Sequence, residues 1–398
     1  MQGAALIPRF LAAALLMAAG YMAITRNAAS ALARVDPIKA RSLASDARID
    51  GKAAFLLIQS GKTPADRTAA DALAQKALTR DATVVSATVA RALFFAMRGD
   101  ETSSGVWFDY SEKLSRRDFT TQLYLIEKAV GEGNIDGALL HYDTAMRASY
   151  EATNVLYPIL VAASGNPEVR QPLTRVLLGR PLWSSGLIAY LAANGTDYAA
   201  VGQLFLDLRR GGYAIPSETE SVFLNNMVAH GKLTDAWRYY VATHPAERNS
   251  LIRNGDFQPA KMTNSPFEWQ LSVGEGMDAS LVPGGRNGVL DYHLYPAVGG
   301  TTAKQFTFAP AGKIRLQSVV AESSQEVGEG PYWELKCADG RAIGVLEIGK
   351  PRVAGQPYAT ELTVPGNCPV QLLSLIVRSS DDVQGATGQI DSVGLIRL

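Results

Sequence analysis

Histidine and cysteine are scarce in this chain, and neither sign of charge is in excess. Its 398 residues include only four histidines and two cysteines, while Lys plus Arg and Asp plus Glu number 38 each. The histidines lie far apart, at His141, His230, His244 and His293, and no two of them have the spacing of metal ligands. A balanced charge lacks the basic surplus that contacts phosphates. The sequence therefore argues against a histidine metal centre and against a nucleic-acid partner.

A catalytic constellation is also missing. Glycoside hydrolysis, for example, needs two carboxylates roughly 5 to 10 Å apart in one cleft. The adjacent pair Asp381-Asp382 does not supply that arrangement, because neighbours in a strand point to opposite faces, and we expect a turn there. We therefore expect a protein that is not an enzyme.

The one long apolar run stands near the N-terminus, at Phe10–Ile24. Alone it has the length of a signal-peptide core, and with residues 6–8 it approaches the roughly 20 residues that span a bilayer. We predict a signal peptide or membrane anchor over residues 1–34. The length of the whole chain favours two or more domains.

Glycines punctuate the next 200 residues at regular intervals. The steps are 38, 34, 32, 30 and 36 residues by subtraction, between Gly61, Gly99, Gly133, Gly165, Gly195 and Gly231. Helical patterns lie between them: Gln122–Val130 and Ile135–Ala148 read as two helices around a tight turn. Small or aromatic residues recur on one face of such helices, at Ala138, Tyr142 and Ala145 and again at Ala70, Ala74 and Ala77. Helix-start signals occur at Thr63-Pro64, at Asn166-Pro167 and at Ser217, the last as a capping box with Glu220.

This spacing resembles that of tetratricopeptide repeats, whose period is about 34 residues. Residues 35–250 are therefore interpreted as a tetratricopeptide-like array of about six degenerate units. The usual Trp-x-x-Leu-Gly of the first helix is missing, and an α-α superhelix of another curvature has the same spacing. The resemblance implies a surface that docks a partner protein or peptide.

From Leu251 onward, turn signals arrive roughly every 8 to 12 residues, as in all-β sandwiches. Seven alternating runs lie between them, at 289–295, 305–308, 313–320, 332–337, 358–364, 371–378 and 390–396. With a first strand across Leu251–Leu271, about eight strands are expected, which is enough for an antiparallel two-sheet jelly roll. The fold class is thus multi-domain α plus β: the N-terminal segment, the helical array at 35–250 and a β-sandwich at 251–398.

Two motifs bracket the β region: Asn254-Gly255-Asp256-Phe257 opens it, and a run from Gln389 to Leu395 (QIDSVGL) closes it. The pair resembles the opening and closing motifs of carbohydrate-binding modules. The resemblance implies that first and last strands pair, and that a structural calcium ion lies near their junction, with Asp256 and Asp391 as ligands. Hard cations prefer such oxygen ligands. Gln258 and Ser392 replace acidic residues of the family pattern, and the alternative is that both aspartates only cap turns.

Alternation predicts which residues face a sugar. In the run at 289–295, Leu290, Tyr292 and Leu294 share an apolar face, and in the run at 332–337, Trp333, Leu335 and Cys337 do so. The opposite faces carry aromatic and hydrogen-bonding side chains suited to carbohydrate. The predicted glycan-binding residues are Asp291, His293, Tyr295, Tyr332 and Glu334. An ordinary solvated sheet face is the alternative interpretation.

Cys337 and Cys368 lie in the same predicted domain, so an exported protein would join them in a disulfide; two buried free thiols are the alternative. The basic residues Arg26, Arg34, Lys39 and Arg41 follow the apolar run, which by the positive-inside rule favours a cytoplasmic body. We nevertheless expect the protein on the periplasmic or extracytoplasmic side, because the cysteine pair and the carbohydrate-module resemblance belong there.

Three functions follow from these patterns. The first is a non-enzymatic, membrane-anchored envelope protein that docks a protein partner through its helices and binds a glycan through its sandwich, with a role in making or exporting surface polysaccharide. The second is an assembly scaffold without sugar binding. The third is a glycan-active enzyme. No cofactor is expected beyond the structural calcium.

Overall fold

The computed structural model describes residues 6–245, 250–261, 264–284, 287–351 and 353–398, with side chains in the first helix described from residue 16. The chain divides into two compact units, Met1–Ser184 and Ser185–Leu398. The described part of the chain changes from helices to strands between Thr243 and Gln270. The domain boundary predicted at residue 250 lies within this change and stays a prediction.

The described residues form 14 α-helices. They are α1 (Leu6–Leu32), α2 (Pro37–Leu43), α3 (Ala47–Ser60), α4 (Pro64–Arg80), α5 (Val85–Ala96), α6 (Glu101–Leu114), α7 (Phe119–Gly131), α8 (Ile135–Ala148), α9 (Glu151–Ala163), α10 (Pro167–Leu178), α11 (Ser184–Asn194), α12 (Tyr198–Arg210), α13 (Ser217–Ala229) and α14 (Leu233–Thr243). The predicted helical half is therefore confirmed, and α7 and α8 match the helix pair read from the sequence.

Side-chain caps explain several helix starts. Thr63 and Asp66 form a capping box at α4, and Asn166 caps α10. The capping box predicted at Ser217 is wrong, because Pro216 is the N-cap of α13 and no side chain caps it. Glu220 is instead buried, and its carboxylate accepts a 2.7 Å hydrogen bond from the guanidinium of Arg209.

The predicted membrane anchor begins in residues 1–5, which lie outside the described part, and continues into α1. Within the part of the chain that is described, no helix combines the length and the apolar character needed to cross a membrane. The signal peptide or membrane anchor over residues 1–34 stays a prediction.

In the first unit, a buried carboxylate ties three helices together. Asp50 on α3 is fully buried and accepts from Arg41 Nε on α2 at 2.8 Å and from Arg80 Nη1 on α4 at 3.1 Å. The Ser45 hydroxyl donates a further hydrogen bond to the Asp50 carboxylate at 3.0 Å. Because a buried charge is stable only when it is paired and hydrogen-bonded, these contacts determine how α2, α3 and α4 pack.

In the second unit, α14 packs on the sandwich. The ring of Trp237 stacks on that of Phe308 with centroids 4.0 Å apart, and Tyr240 donates a 2.6 Å hydrogen bond to the buried Glu268. Arg253, also buried, donates to the carbonyl oxygens of Phe267 and Phe306. Helix α14 and the start of the β region therefore share one core.

The sandwich has 11 strands in the described residues. They are β1 (Gln270–Leu271), β2 (Val273–Gly274), β3 (Met277–Pro283), β4 (Gly288–Leu294), β5 (Gly300–Thr307), β6 (Gly312–Ser323), β7 (Tyr332–Cys337), β8 (Ala342–Glu347), β9 (Tyr358–Val364), β10 (Gln371–Val377) and β11 (Ala386–Arg397). All the pairings are antiparallel, in a five-stranded sheet ordered β1-β5-β10-β7-β8 and a six-stranded sheet ordered β2-β3-β4-β11-β6-β9. The predicted antiparallel two-sheet sandwich is confirmed, although β2, β3 and β8 were missed.

The first and last segments of the sandwich meet, as the carbohydrate-module resemblance implied. Val393 on β11 donates a 2.9 Å hydrogen bond to the carbonyl of Gly255, and Phe257 is fully buried in the sandwich core. The expectation of a strand across Leu251–Leu271 is wrong except at its end, where β1 lies. Asn254 and Phe257 have positive φ angles of 47° and 54°, so the segment turns instead of extending.

Gly255 should tolerate no larger residue. A Cβ atom there would lie 2.3 Å from the Val393 carbonyl oxygen, which is backbone and cannot rotate away. We expect Gly255→Ala to lower the free energy of unfolding of the second unit by about 1–3 kcal/mol or more, measured by chemical denaturation. Gly366→Ala is the matched control, since nothing lies within 4 Å of its Cβ position. Equal stabilities of the two variants would contradict this account of the junction.

The predicted inward faces are confirmed: Leu290, Tyr292 and Leu294 of β4 and Trp333 of β7 are all buried in one core. Trp333 also donates from Nε1 to the Ser318 hydroxyl at 3.0 Å. The disulfide is confirmed as well, since Cys337 and Cys368 are bonded with Cα atoms 5.6 Å apart. It joins the end of β7 to the loop before β10.

Tyr292 should make the sandwich sensitive to alkali. Burial raises the pKa of Tyr292 to about 12, whereas an unfolded tyrosine titrates near 10. The stabilisation is therefore complete below about pH 10 and is lost as the pH rises towards 12. Tyr292→Phe removes this group, so between pH 8 and pH 11 it should lose less stability than the wild type, by about 1–2 kcal/mol. Denaturation curves at the two pH values test this, and parallel losses would contradict it.

Candidate ligand-binding face

The structure separates the predicted glycan-binding residues into two groups. Asp291, His293 and Tyr295 belong to β4 and the residue after it, in the six-stranded sheet, whereas Tyr332 and Glu334 belong to β7 in the five-stranded sheet. The alternate residues of both strands fill the common core. The two groups therefore point away from each other on opposite outer faces. They do not lie on one surface, and the binding of a glycan by either group stays a prediction.

The outer face of the five-stranded sheet carries a row of polar side chains across four strands. The register pairs Gln270 with Lys304, Lys304 with Ser374, and Ser374 with Glu334. The sequence neighbours of these residues point into the core, so the four side chains share the outer face. We call them the central row: Gln270, Lys304, Ser374 and Glu334. At about 4.8 Å per strand, the row extends over about 14 Å.

Apolar and aromatic side chains flank the central row on both sides. On one side the register aligns Phe306 with Leu372, and on the other it aligns Ile376 with Tyr332. All four are half-buried. The face therefore offers hydrogen-bonding groups between two apolar borders, about 6.7 Å from the central row on either side.

Tyr332 is held in place by a charged neighbour. The guanidinium of Arg378 lies 4.4 Å from the centre of the Tyr332 ring. Arg378 also donates two 2.7 Å hydrogen bonds to the carboxylate of Glu347, and these bonds raise the pKa of the guanidinium above its usual value. A planar, bidentate contact of this kind restricts the arginine, so one side of the Tyr332 ring is occupied and its position is defined.

The outer face of the six-stranded sheet is polar along β3 and β4. Asp291 accepts a 2.8 Å hydrogen bond from Gln389 on the neighbouring strand. The rings of His293 and Tyr295 are 5.5 Å apart, and both residues are exposed. On β3, the polar residues Asp278 and Ser280 lie opposite His293 and Asp291, respectively. This pattern is typical of a solvated sheet face.

Several residues of the five-stranded face were missed by sequence reasoning. Lys304 and Phe306 belong to β5, of which only the run from Gln305 was predicted, and Gln270 belongs to the two-residue strand β1. Ser374 lies in a predicted strand, the run at 371–378, but none of the residues of that run was assigned to a face. Strand pairing, which the sequence did not provide, is what aligns these side chains.

The predicted calcium ligands are Asp256, in the turn beside Gly255, and Asp391, on β11; both are half-buried. The Asp256 backbone carbonyl accepts from Gly288 at 3.1 Å. Calcium takes six to eight oxygen ligands, and its affinity depends on the number of charged ones. Among the described residues, no group of three or more His, Cys, Asp or Glu side chains is placed to hold a metal ion. Two carboxylates do not fit a strong calcium site, and we assign none.

No family model and no curated protein matches the chain. Among solved structures, a family 61 carbohydrate-binding module in complex with β-1,4-galactotriose is 13% identical with a TM-score of 0.27, over 38% of this chain and 99% of the module. A structure described as a family 4 carbohydrate-binding module is 15% identical with a TM-score of 0.27, over 36% of this chain and 98% of its own.

A third solved structure is PilW, described as a widely conserved type IV pilus biogenesis factor. It is 14% identical with a TM-score of 0.27, over 51% of this chain and 95% of its own. The chain thus resembles both carbohydrate-binding modules and a helical protein of the PilW type, as the sequence patterns indicated.

Proposed function

We propose that this protein binds a glycan, without acting on it, through the outer face of its five-stranded sheet. The observation that carries the proposal is the register of that sheet, which aligns the central row between two apolar borders. Sugars present hydroxyl groups at their edges and C–H groups on their ring faces. The half-buried Gln270 and Glu334 hydrogen-bond hydroxyls, while Phe306 and Tyr332 supply apolar ring surface.

The extent of the row favours a chain of sugars over a single one. Together with its two borders, the row comprises eight residues on β1, β5, β7 and β10. Lys304 is exposed, Ser374 is buried, and the other six are half-buried. A ligand that contacts both borders and the row must itself be extended. On the six-stranded face the rings of His293 and Tyr295 lie next to each other, so they do not border a polar row on two sides.

A glycan array probed with the full-length protein tests the proposal. We expect Phe306→Ala and Tyr332→Ala each to weaken retention by about tenfold, since each ring supplies roughly 1–2 kcal/mol of buried contact. Tyr295→Ala is the matched control from the opposite face and should bind like the wild type. Unfolding curves of all three variants show whether the fold is retained. Loss of binding only in Tyr295→Ala would place the site on the six-stranded sheet instead.

A non-enzymatic role is part of the same proposal. If the wild type releases reducing sugar from the polymer that it retains, the protein is an enzyme and this part of the proposal is wrong. An extracytoplasmic location, with a role in the assembly or export of surface polysaccharide, is the biological setting we propose, supported by the Cys337–Cys368 disulfide, since such bonds persist in oxidising compartments. A C-terminal reporter that is active only in the cytosol would contradict it.

Docking of a protein partner by the helices is the second candidate function. The observation in its favour is a cleft of about 770 Å³ between α12 and α14. Its lining includes the buried Met227 and Tyr239, the half-buried Leu206, and the charged Lys232 and Arg238, which is an apolar floor with a charged rim. A photo-reactive residue at Gln203, also in the lining, should cross-link a partner in cells, whereas one at exposed Val222 on α13 should not.

A further inference from the structure

Among the described residues, one cation on the five-stranded face, Lys304, lacks a counter-ion. Lys336 contacts Glu334 at 2.8 Å, and Arg378 contacts Glu347 at 2.7 Å, so two of the three cations on this face are neutralised. Lys304 is exposed and forms no ion pair within the described part of the chain. It therefore presents an unshared positive charge to solvent.

The position of Lys304 makes this charge available to a ligand. It lies on β5 inside the central row, with the neutral side chains of Gln270 and Ser374 directly beside it on either side. The nearest carboxylate of the row, Glu334, is two strands away, at about 10 Å between Cα atoms, and is engaged by Lys336. No carboxylate of the row therefore lies next to Lys304.

The neighbours of Lys304 suit an anionic sugar. An ammonium group that meets a carboxylate forms a charge-assisted hydrogen bond, which is roughly twice as strong as a neutral one. The amide of Gln270 is half-buried and donates from Nε2 to the Pro266 carbonyl at 3.3 Å, so its oxygen can accept a hydrogen bond from a sugar hydroxyl beside such a carboxylate. Ser374 is buried, which leaves Lys304 as the exposed member of the row. A neutral glycan would leave the Lys304 charge without a partner, so it should bind to the same row with lower affinity than an acidic glycan.

We infer that the glycan bound by this face is acidic, with a carboxylate-bearing sugar placed over Lys304. This inference rests on the proposed function, since it concerns the same face. Sulfated sugars share the negative charge, and the panel of polymers below distinguishes them from uronates. Gln270 at one end of the row and Glu334, which is paired with Lys336, at the other then contact the sugars on either side of the acidic one.

The test compares a uronate polymer with its uncharged ester and with a polymer that carries sulfate in place of carboxylate. Full-length protein is assayed for retention on polygalacturonate, on the same polymer after complete methyl esterification, and on a sulfated galactan. We expect tighter binding to the free uronate than to its ester by about 10- to 100-fold, with a preference that shrinks as salt screens the contact. Tighter binding to the sulfated galactan than to the uronate would overturn the assignment of a carboxylate.

Two variants assign the preference to one residue. Lys304→Gln should remove the preference while retaining binding to the ester. Lys313→Gln is the matched control, because Lys313 is an exposed lysine on β6 of the opposite sheet, and it should behave like the wild type. Equal binding of uronate and ester by the wild type, or an unchanged preference in Lys304→Gln, would overturn this inference alone. Absence of binding to every glycan, neutral or acidic, would overturn the proposed function with it.

Discussion

Replacing both Arg41 and Arg80 with methionine should lower the free energy of unfolding of the first unit by about 3–5 kcal/mol. The double variant leaves the carboxylate of Asp50 fully buried with only the Ser45 hydroxyl as a neighbour. An uncompensated buried charge is far more costly than a missing surface ion pair. Methionine keeps most of the apolar stem, so lost packing contributes little. Chemical denaturation of the full-length protein, followed by far-ultraviolet circular dichroism, measures the change.

A third substitution separates the charge effect from general damage. Adding Asp50→Asn to the double variant removes the unpaired buried charge and should restore a part of the lost stability. As a surface comparison, Arg175→Met breaks the ion pair with Asp136, in which both side chains are about two-thirds exposed, and should cost less than 1 kcal/mol. If Asp50→Asn lowers the stability of the double variant further, the buried-charge explanation is wrong.

Removing the disulfide should destabilise the second unit by about 3–4 kcal/mol, as expected for the loop it closes. The two cysteines are 31 residues apart in the sequence, and the bond restricts the unfolded chain over that distance. For a unit of this size the loss lowers the melting temperature by about 6–16 °C. The double variant Cys337→Ala with Cys368→Ala, followed by scanning calorimetry, measures the effect.

Reductant provides the control for the disulfide. Adding it should lower the melting temperature of the wild type to near that of the double variant and leave the variant unchanged. Helices α2 to α10 of the first unit contain no cysteine, so the transition of that unit should not respond. The stabilising role of the bond would be contradicted if the wild type had the same melting temperature with and without reductant and the double variant had that melting temperature as well.

Local patterns were sufficient to predict most elements. The helix pair α7–α8, the strands β7 and β9 and the inward faces of β4 and β7 all follow from the periodicity of apolar residues and from turn signals, which act over a few positions. The junction of Gly255 with Val393 was available only through the resemblance of two motifs. Even so, the strand expected there is a turn, because the side chain of Asn254 hydrogen-bonds the backbone of Gln258.

The binding face could not be predicted in the same way. Alternation shows that Glu334 and His293 point away from the core, but not that they lie on opposite sides of it, because that depends on which strands share a sheet. The same limitation hid the central row. Lys304 and Ser374 are 70 positions apart in the sequence by subtraction, and only the pairing of β5 with β10 brings them together.

The account depends most on the claim that a glycan lies across the outer face of the five-stranded sheet. The direct measurement is cross-linking mass spectrometry, using a glycan that the full-length protein retains and that carries a diazirine group. We predict that the label attaches to peptides containing Lys304–Phe306 and Tyr332–Lys336. Attachment to the peptide containing Asp291–Tyr295, with the five-stranded face unlabelled, would contradict the claim.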